Sequence, residues 1–151
     1  MENYDCLKLD RQLCFPLYAA SRLVIGQYHE LLSGLDLTYT QYVTMMVLWE
    51  CGSVSVKELG RRLYLDSGTL TPLLKVLEKK GFVVRSRSRE DERVVLVAPT
   101  PAGEELRRRA AAVPGKVAAC VRLSKEDAQE LYTLLHKLLN SFDETERKDP
   151  L

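Results

Sequence analysis

Residues 69–99 read TLTPLLKVLEKKGFVVRSRSREDERVVLVAP, and the period of their apolar residues changes at Gly81. Before it, Leu70, Leu73, Leu74 and Leu77 recur at helical spacing. Beyond it, FVVRSRS (82–88) and RVVLVAP (93–99) are β-branched runs joined by the charged link REDE (89–92), the pattern of a hairpin with a polar tip. Lysines followed by glycine end a helix well, because they suit both its macrodipole and a left-handed cap. Upstream, Val56–Leu63 reads as a short helix with Ser55 as N-cap and Glu58 completing a capping box. A break at 64–68 separates the two helices. Helix, turn, helix and hairpin in that order predict a winged helix-turn-helix.

The flanking segments are helical. Apolar spacing runs through 11–32 and stops near Ser33-Gly34, a natural C-cap. Thr38–Gln41 opens a second helix with 42–50 as its buried body, closed by Cys51-Gly52-Ser53. After Pro99-Thr100-Pro101 come a helix over 102–112, an interruption at Pro114-Gly115, a resumption over 116–122, and a last helix from its cap Ser124 to Phe142. The polar tail beyond is expected to fray. Leu131, Leu134, Leu135, Leu138, Leu139 and Phe142 form a stripe with little else in the chain to cover it, which suits a dimer interface better than an intrachain core. The expected fold is mainly α with a small β-hairpin wing. One chain, 1–151, holds a winged helix-turn-helix at 35–101 between dimerisation helices at 8–34 and 102–142.

Charge sharpens the reading of the centre. Residues 57–93 carry ten Lys/Arg against six Asp/Glu, so this stretch is +4 in a chain whose net charge is +1. A basic centre points to a polyanion partner. No apolar run approaches the roughly 18 residues that cross a bilayer, and MENYDCLKLDRQL lacks a signal-peptide core. A cytoplasmic protein without membrane contact is expected. Cys6, Cys14, Cys51 and Cys120 are widely spaced with no CxxC pair, and only two histidines accompany them, so no metal site or other cofactor is expected.

In a helix-turn-helix the second helix enters the major groove of double-stranded DNA with its N-terminal residues at the base edges. Ser67, Thr69 and Thr71 occupy that end, and Lys75 and Lys79 lie on the outward face where phosphates run. Pro72 cannot donate an i→i−4 bond. Either the helix starts near Thr69–Leu70, with Pro72 in its first turn, or it opens locally at Pro72. Arg85, Arg87, Arg89 and Arg93 at the hairpin tip suit a minor groove, with Asp91 pairing to an arginine to hold the wing's shape. The plainer alternative is a solvated charged hairpin.

Residues 69–103 resemble the MarR family of winged-helix transcription regulators. The features that match are the leucine-spaced helix, Glu78-x-x-Gly81, Arg85, Asp91-x-Arg93 and Thr100-x-x-Gly103. The resemblance implies a homodimer whose lobes read the half-sites of a pseudopalindromic operator. LDRQLCFPLYAASR (9–22) and LYLDSGTLTPLLK (63–75) look like the OhrR branch, the organic hydroperoxide-sensing repressors. That likeness implies that Cys14 is the redox sensor, with Tyr18, Tyr28 and Tyr39 as the phenols that hydrogen-bond to it. It also implies that an organic hydroperoxide is the inducer. Cys120 lies about where two-cysteine members of the branch place their resolving cysteine. Cys6 competes for that role, a small cellular thiol is the other route, and Cys51 is expected to pack.

Helix geometry bears on this independently. Tyr18 lies one turn beyond Cys14 on the same face. Tyr28, fourteen residues on, returns to within about 40° of that face but about 21 Å along the axis. Unless the helix bends sharply, a Tyr28 phenol that meets Cys14 must therefore come from the partner subunit. Peroxide is attacked by thiolate, which phenol donors favour. Pro16 marks either a helix start or a kink. Leu13, Phe15 and Leu17 would favour bulky organic peroxides. The competing readings are an inert packed thiol, a MarR-type repressor released by a non-covalent apolar or phenolic ligand, a purely architectural DNA binder, and a thiol peroxidase with Arg22 assisting. The last leaves the wing without a role, so no enzyme is expected.

Overall fold

A computed structural model describes residues 4–146 of the chain. After two single 3-10 turns, at Asp5–Leu7 and Leu9–Arg11, the elements run α1 (Cys14–Ser33), α2 (Tyr39–Cys51), β1 (Val54–Ser55), α3 (Val56–Leu63), α4 (Ser67–Lys79), β2 (Val83–Arg87), β3 (Val95–Pro99), α5 (Pro101–Ala110), α6 (Val113–Cys120) and α7 (Lys125–Glu146). The three strands form an antiparallel sheet in the order β1-β3-β2. The expected winged helix-turn-helix is present as α3, α4 and the β2–β3 hairpin. β1 is an addition: two residues become a strand because Val54 and Ser55 pair with Val97 and Leu96.

Contacts divide the chain into Met1–Ala118 and Ala119–Leu151. Leu106, Ala110, Val113 and Val117 are buried within the first unit. Its core comes from every element around the helix-turn-helix: Met45 and Leu48 of α2, Leu59 of α3, Leu74 and Leu77 of α4, and Val97 of β3 are all fully buried. Each such side chain contributes about 1.5–3 kcal/mol by leaving water.

Helix ends follow local chemistry, with four departures from expectation. α2 opens with a full capping box, the Gln41 N–H donating to Thr38 Oγ1 and the Thr38 N–H to Gln41 Oε1. α3 has only half of one. Ser55 Oγ accepts from the Glu58 N–H, but the Glu58 carboxylate turns to Arg61 and Arg62. α1 closes beyond Gly34, which stays helical at φ −64°. Asp36 takes the left-handed position instead, at φ 55°. Leu37 N–H donates to Leu32 O and Asp36 N–H to Ser33 O, both at 3.0 Å, a Schellman closure. α4 ends by the same motif at Gly81, φ 76°, with Phe82 N–H on Leu77 O and Gly81 N–H on Glu78 O. Pro114 lies in the first turn of α6 rather than in the break, where its missing donor is harmless. Ser124 caps α7 through the Asp127 N–H, and the helix runs on to Glu146, past Phe142. The rest of the expected frayed tail lies outside the described residues.

The Arg61 and Arg62 donors hold Glu58 at about 2, well below the usual 4.5. A depressed carboxyl contributes stability above its ordinary value and loses it as pH falls through the depressed one. The melting temperature of Glu58→Gln should therefore fall less steeply than that of the native chain as pH drops from 4.5 to about 2. Parallel acid limbs would refute the assignment.

Candidate functional site

Cys14 is the first residue of α1 and its side chain is exposed, so it is not filler in this chain's core. Pro16 sits in the first turn, where no intrahelical donor is needed, which makes it part of a helix start rather than a kink. Leu13 supplies no side-chain cap, leaving the first-turn N–H groups and the positive end of the helix dipole beside the sulfur. Tyr18, one turn on and exposed, accepts a hydrogen bond from Arg22 at 3.3 Å, and the guanidinium stands 5.6 Å from the ring centre. That contact uses the phenol oxygen and leaves its proton to be donated elsewhere. It also gives Arg22 a partner other than Cys14.

Tyr28 and Tyr39 come together, their ring centres 4.9 Å apart edge to face, and Tyr28 also meets Tyr42 at 5.9 Å. Burial, then the neighbouring Tyr39, pushes the Tyr28 hydroxyl up, so it stays a proton donor throughout the physiological range. Tyr42 joins this cluster and is buried. By sequence alone it belongs to the body of α2. Its spacing of three from Tyr39, one helical turn, is the signal that could have found it. α1 is unbroken from Cys14 to Ser33, so Tyr28 stays about 21 Å along the axis from the sulfur of its own chain.

The N-terminal part of α1 leaves apolar side chains uncovered among the described residues: Leu23 is 71% exposed and Tyr18 57%, and Leu13 just before the helix 81%. On α7, Leu131, Leu134, Leu138 and Phe142 are exposed too. Cys120 ends α6 and is exposed, Cys6 lies exposed in the first 3-10 turn, and Cys51 is half-buried. Among the described residues no three His, Cys, Asp or Glu side chains gather as a metal ion would need, and no helix is long and apolar enough to cross a membrane.

α4 begins at Ser67 with Asp66 as its cap, the carboxylate accepting from the Thr69 N–H at 2.8 Å. Pro72 is thus in the sixth position, not the first turn, and the helix runs through it without a break although its nitrogen donates no i→i−4 bond. Ser67, Thr69, Thr71, Lys75 and Lys79 are all exposed. The Thr69 hydroxyl donates to Asp66 and that of Thr71 to Ser67 O, so both oxygens are oriented from within the helix. Lys57 and Arg61 of α3 share a notch with Ser67, and in the sequence they count only as charge.

The wing differs from expectation at Arg85. It is not at the tip but in mid-strand opposite Val97, where its guanidinium grips Glu78 of α4 at 2.6 Å. Arg85 therefore braces the wing against α4 and holds the Glu78 carboxyl below its usual value. Asp91 takes two bonds from the Arg93 guanidinium at 3.0 Å and one from its backbone N–H. Arg87 donates to Glu92 O at 2.7 Å. Arg89 is exposed and has no ion pair among the described residues.

Known proteins share this arrangement. The family model of the transcriptional regulator SarA/Rot matches residues 27–109. The organic hydroperoxide resistance transcriptional regulator of Bacillus subtilis is 46% identical over 142 residues, 93% of this chain and 97% of that protein. Reduced AbfR of Staphylococcus epidermidis bound to DNA superposes with a TM-score of 0.77 at 31% identity, over 94% of this chain and 97% of that one. Disulfide-formed AbfR gives 0.62 at 34% identity, over 89% and 95%. These relatives are transcriptional regulators and not enzymes. With its helix-turn-helix, braced wing and cysteine-headed first helix, the chain belongs to the MarR/SarA-type family of winged-helix transcriptional regulators, on the OhrR branch.

Proposed function

We propose that this chain is a DNA-binding repressor that releases its operator when an organic hydroperoxide oxidises Cys14. The observation that carries the reading is the exposed Cys14 at the uncapped start of α1, one turn from Tyr18. The thiolate attacks one peroxide oxygen and the O–O bond breaks. The other oxygen leaves as alkoxide and takes a proton, giving an alcohol, while the sulfur, oxidised by two electrons, becomes a sulfenic acid. Leu13, Phe15 and Leu17 around the sulfur offer an apolar approach for an organic substituent.

The working form is a homodimer. The uncovered apolar faces of α1 and α7 are what such an interface would bury. Tyr28 and Tyr39 would serve the partner's Cys14 as phenol partners, Tyr28 being kept protonated by its burial. Two lobes would then read a pseudopalindrome, Ser67, Thr69 and Thr71 facing bases and Lys75, Lys79, Arg87, Arg89 and Arg93 facing backbone or minor groove. Capture of the sulfenic acid by the Cys120 thiol of the other subunit would form the S–S bond and release water.

Two measurements test the reading. The reduced protein should bind a duplex it has itself selected from random sequence, and cumene hydroperoxide should weaken that binding by about 10-fold or more. Undiminished binding after oxidation removes the proposal. On non-reducing gels, peroxide-treated native chain should run as a disulfide dimer and Cys120→Ser as a monomer. A persistent dimer would move the resolving role to Cys6.

A further inference from the structure

We propose that Lys80 and Asp36 form the joint through which movement of α1 reaches α4 and the wing. The inference rests on the functional reading above and assigns its mechanical link. α1 and α4 close with the same Schellman motif, Asp36 and Gly81 taking the left-handed positions. Lys80, the C-cap residue just beyond α4, spans the two closures. Its ammonium donates to Asp36 O at 2.5 Å and to the Asp36 carboxylate at 3.1 Å, with Gln41 Oε1 at 3.4 Å.

The geometry is specific in three ways. Lys80 is only 24% exposed although Asp36 is 76% exposed, so the cation is the sheltered partner and its charge has few alternatives. Asp36 carries a positive φ without being glycine, and in that turn both its carbonyl and its carboxylate meet the one ammonium. Gln41 is buried and also closes the α2 capping box, so the same oxygen ties the joint to the start of α2. A cation at the closing carbonyls of α1 is also favoured by that helix's dipole. Arg109 of α5 adds a second cation there, donating to Gly34 O at 2.7 Å.

From Lys80 the connection continues through rigid parts. Glu78, two residues earlier, holds Arg85 in β2. A shift at the end of α1 that displaces Asp36 therefore pulls on the end of α4 and, through Glu78–Arg85, on the base of the wing. Coupling between two sites needs such an element, whose position both can bias. Lys80 is a positioning residue here, remote from the exposed first turn of α4.

The test uses the full chain, the self-selected duplex and cumene hydroperoxide. Lys80→Met keeps the length of the side chain and removes its donors. Reduced Lys80→Met should bind within about threefold of the native chain, and its Cys14 should oxidise at the native rate. The ratio of oxidised to reduced Kd should nevertheless shrink by about fivefold or more, within the range of allosteric couplings. Asp36→Gly keeps the positive φ and the carbonyl contact while removing the carboxylate, and should shift the ratio in the same direction. It carries the test if Lys80→Met does not fold. A native ratio in either folded variant overturns the joint, as does a parallel loss of affinity in both redox states, which would mark a merely structural role. If the native chain itself keeps its duplex after oxidation, the functional reading falls and the joint with it. If the native chain responds and the variants respond equally, only the joint falls.

Discussion

Cys14→Ser is expected to hold its operator in the presence of an organic hydroperoxide that costs the native chain 10- to 100-fold in affinity, the usual span of a coupling of roughly 1–3 kcal/mol. Serine keeps nearly the shape of the side chain, though it is more polar, but not the nucleophile, because a hydroxyl at neutral pH does not attack a peroxide bond as a thiolate does. Cys14 is exposed and packs into no core of its own chain, so the exchange should leave reduced-state binding close to native. Fluorescence anisotropy of a labelled duplex, with and without cumene hydroperoxide, reads both quantities at once. The outcome separates the competing mechanisms. A repressor released by a non-covalent apolar or phenolic ligand would respond alike with a thiol or a hydroxyl at this position, since nothing covalent is formed. Equal loss of affinity in both proteins would therefore remove the redox mechanism and leave the DNA-reading body intact.

Much of this architecture is legible from local chemistry. The change of period at Gly81, the Thr38 cap and the Asp91–Arg93 pair are all decided within a few residues, and sequence spacing captures such interactions. What escapes is non-local. Val54–Ser55 is a strand only because β3 lies beside it. Arg85 looks like any other wing arginine until Glu78, seven residues back, is placed across from it. Gly34 is the natural cap on composition, yet the chain turns two residues later, where Lys80 and Arg109 receive the carbonyls of the turn. Asp36 tolerates the left-handed conformation better than most residues, and its partners supply the rest. The Cys14 site is legible only in part. In the sequence Pro16 is compatible with a helix start or a kink, and only the structure places Cys14 at the start, while the grouping of Tyr28 with Tyr39 and Tyr42 depends on how α1 packs on α2.

Gly103 shows how a motif residue acquires its physical reason, and Gly103→Ala is expected to be the most destabilising single-methyl change in the first unit. A Cβ there would overlap Phe82 O and lie 3.2 Å from Met45 Cε. The first of these neighbours is backbone, so no rotamer relieves it. Either the opening turn of α5 or the start of β2 must move, and both are tied down. Thr100 N–H donates to Phe82 O at 3.0 Å, the Thr100 hydroxyl donates to Gly81 O, and the Trp49 indole donates to Gly103 O at 2.8 Å. Overpacking of this kind costs about 1–3 kcal/mol, and each buried bond lost adds about 1 kcal/mol. With one such bond lost the sum, about 2–4 kcal/mol, is a large part of the 5–15 kcal/mol that holds a domain folded. At roughly 2–4 °C per kcal/mol for a chain of this size, the melting temperature should drop by about 10 °C. Gly115→Ala is the control, since nothing lies within 4 Å of its Cβ position and alanine favours the helix. It should melt at or slightly above the native temperature. The consequence for function follows from position: Phe82 leads into β2 and the wing, so displacement at Gly103 should weaken binding to the duplex even at temperatures where the variant is folded. A Gly103→Ala protein that melts with the native chain would mean that α5 and β2 are not held together as the hydrogen bonds describe.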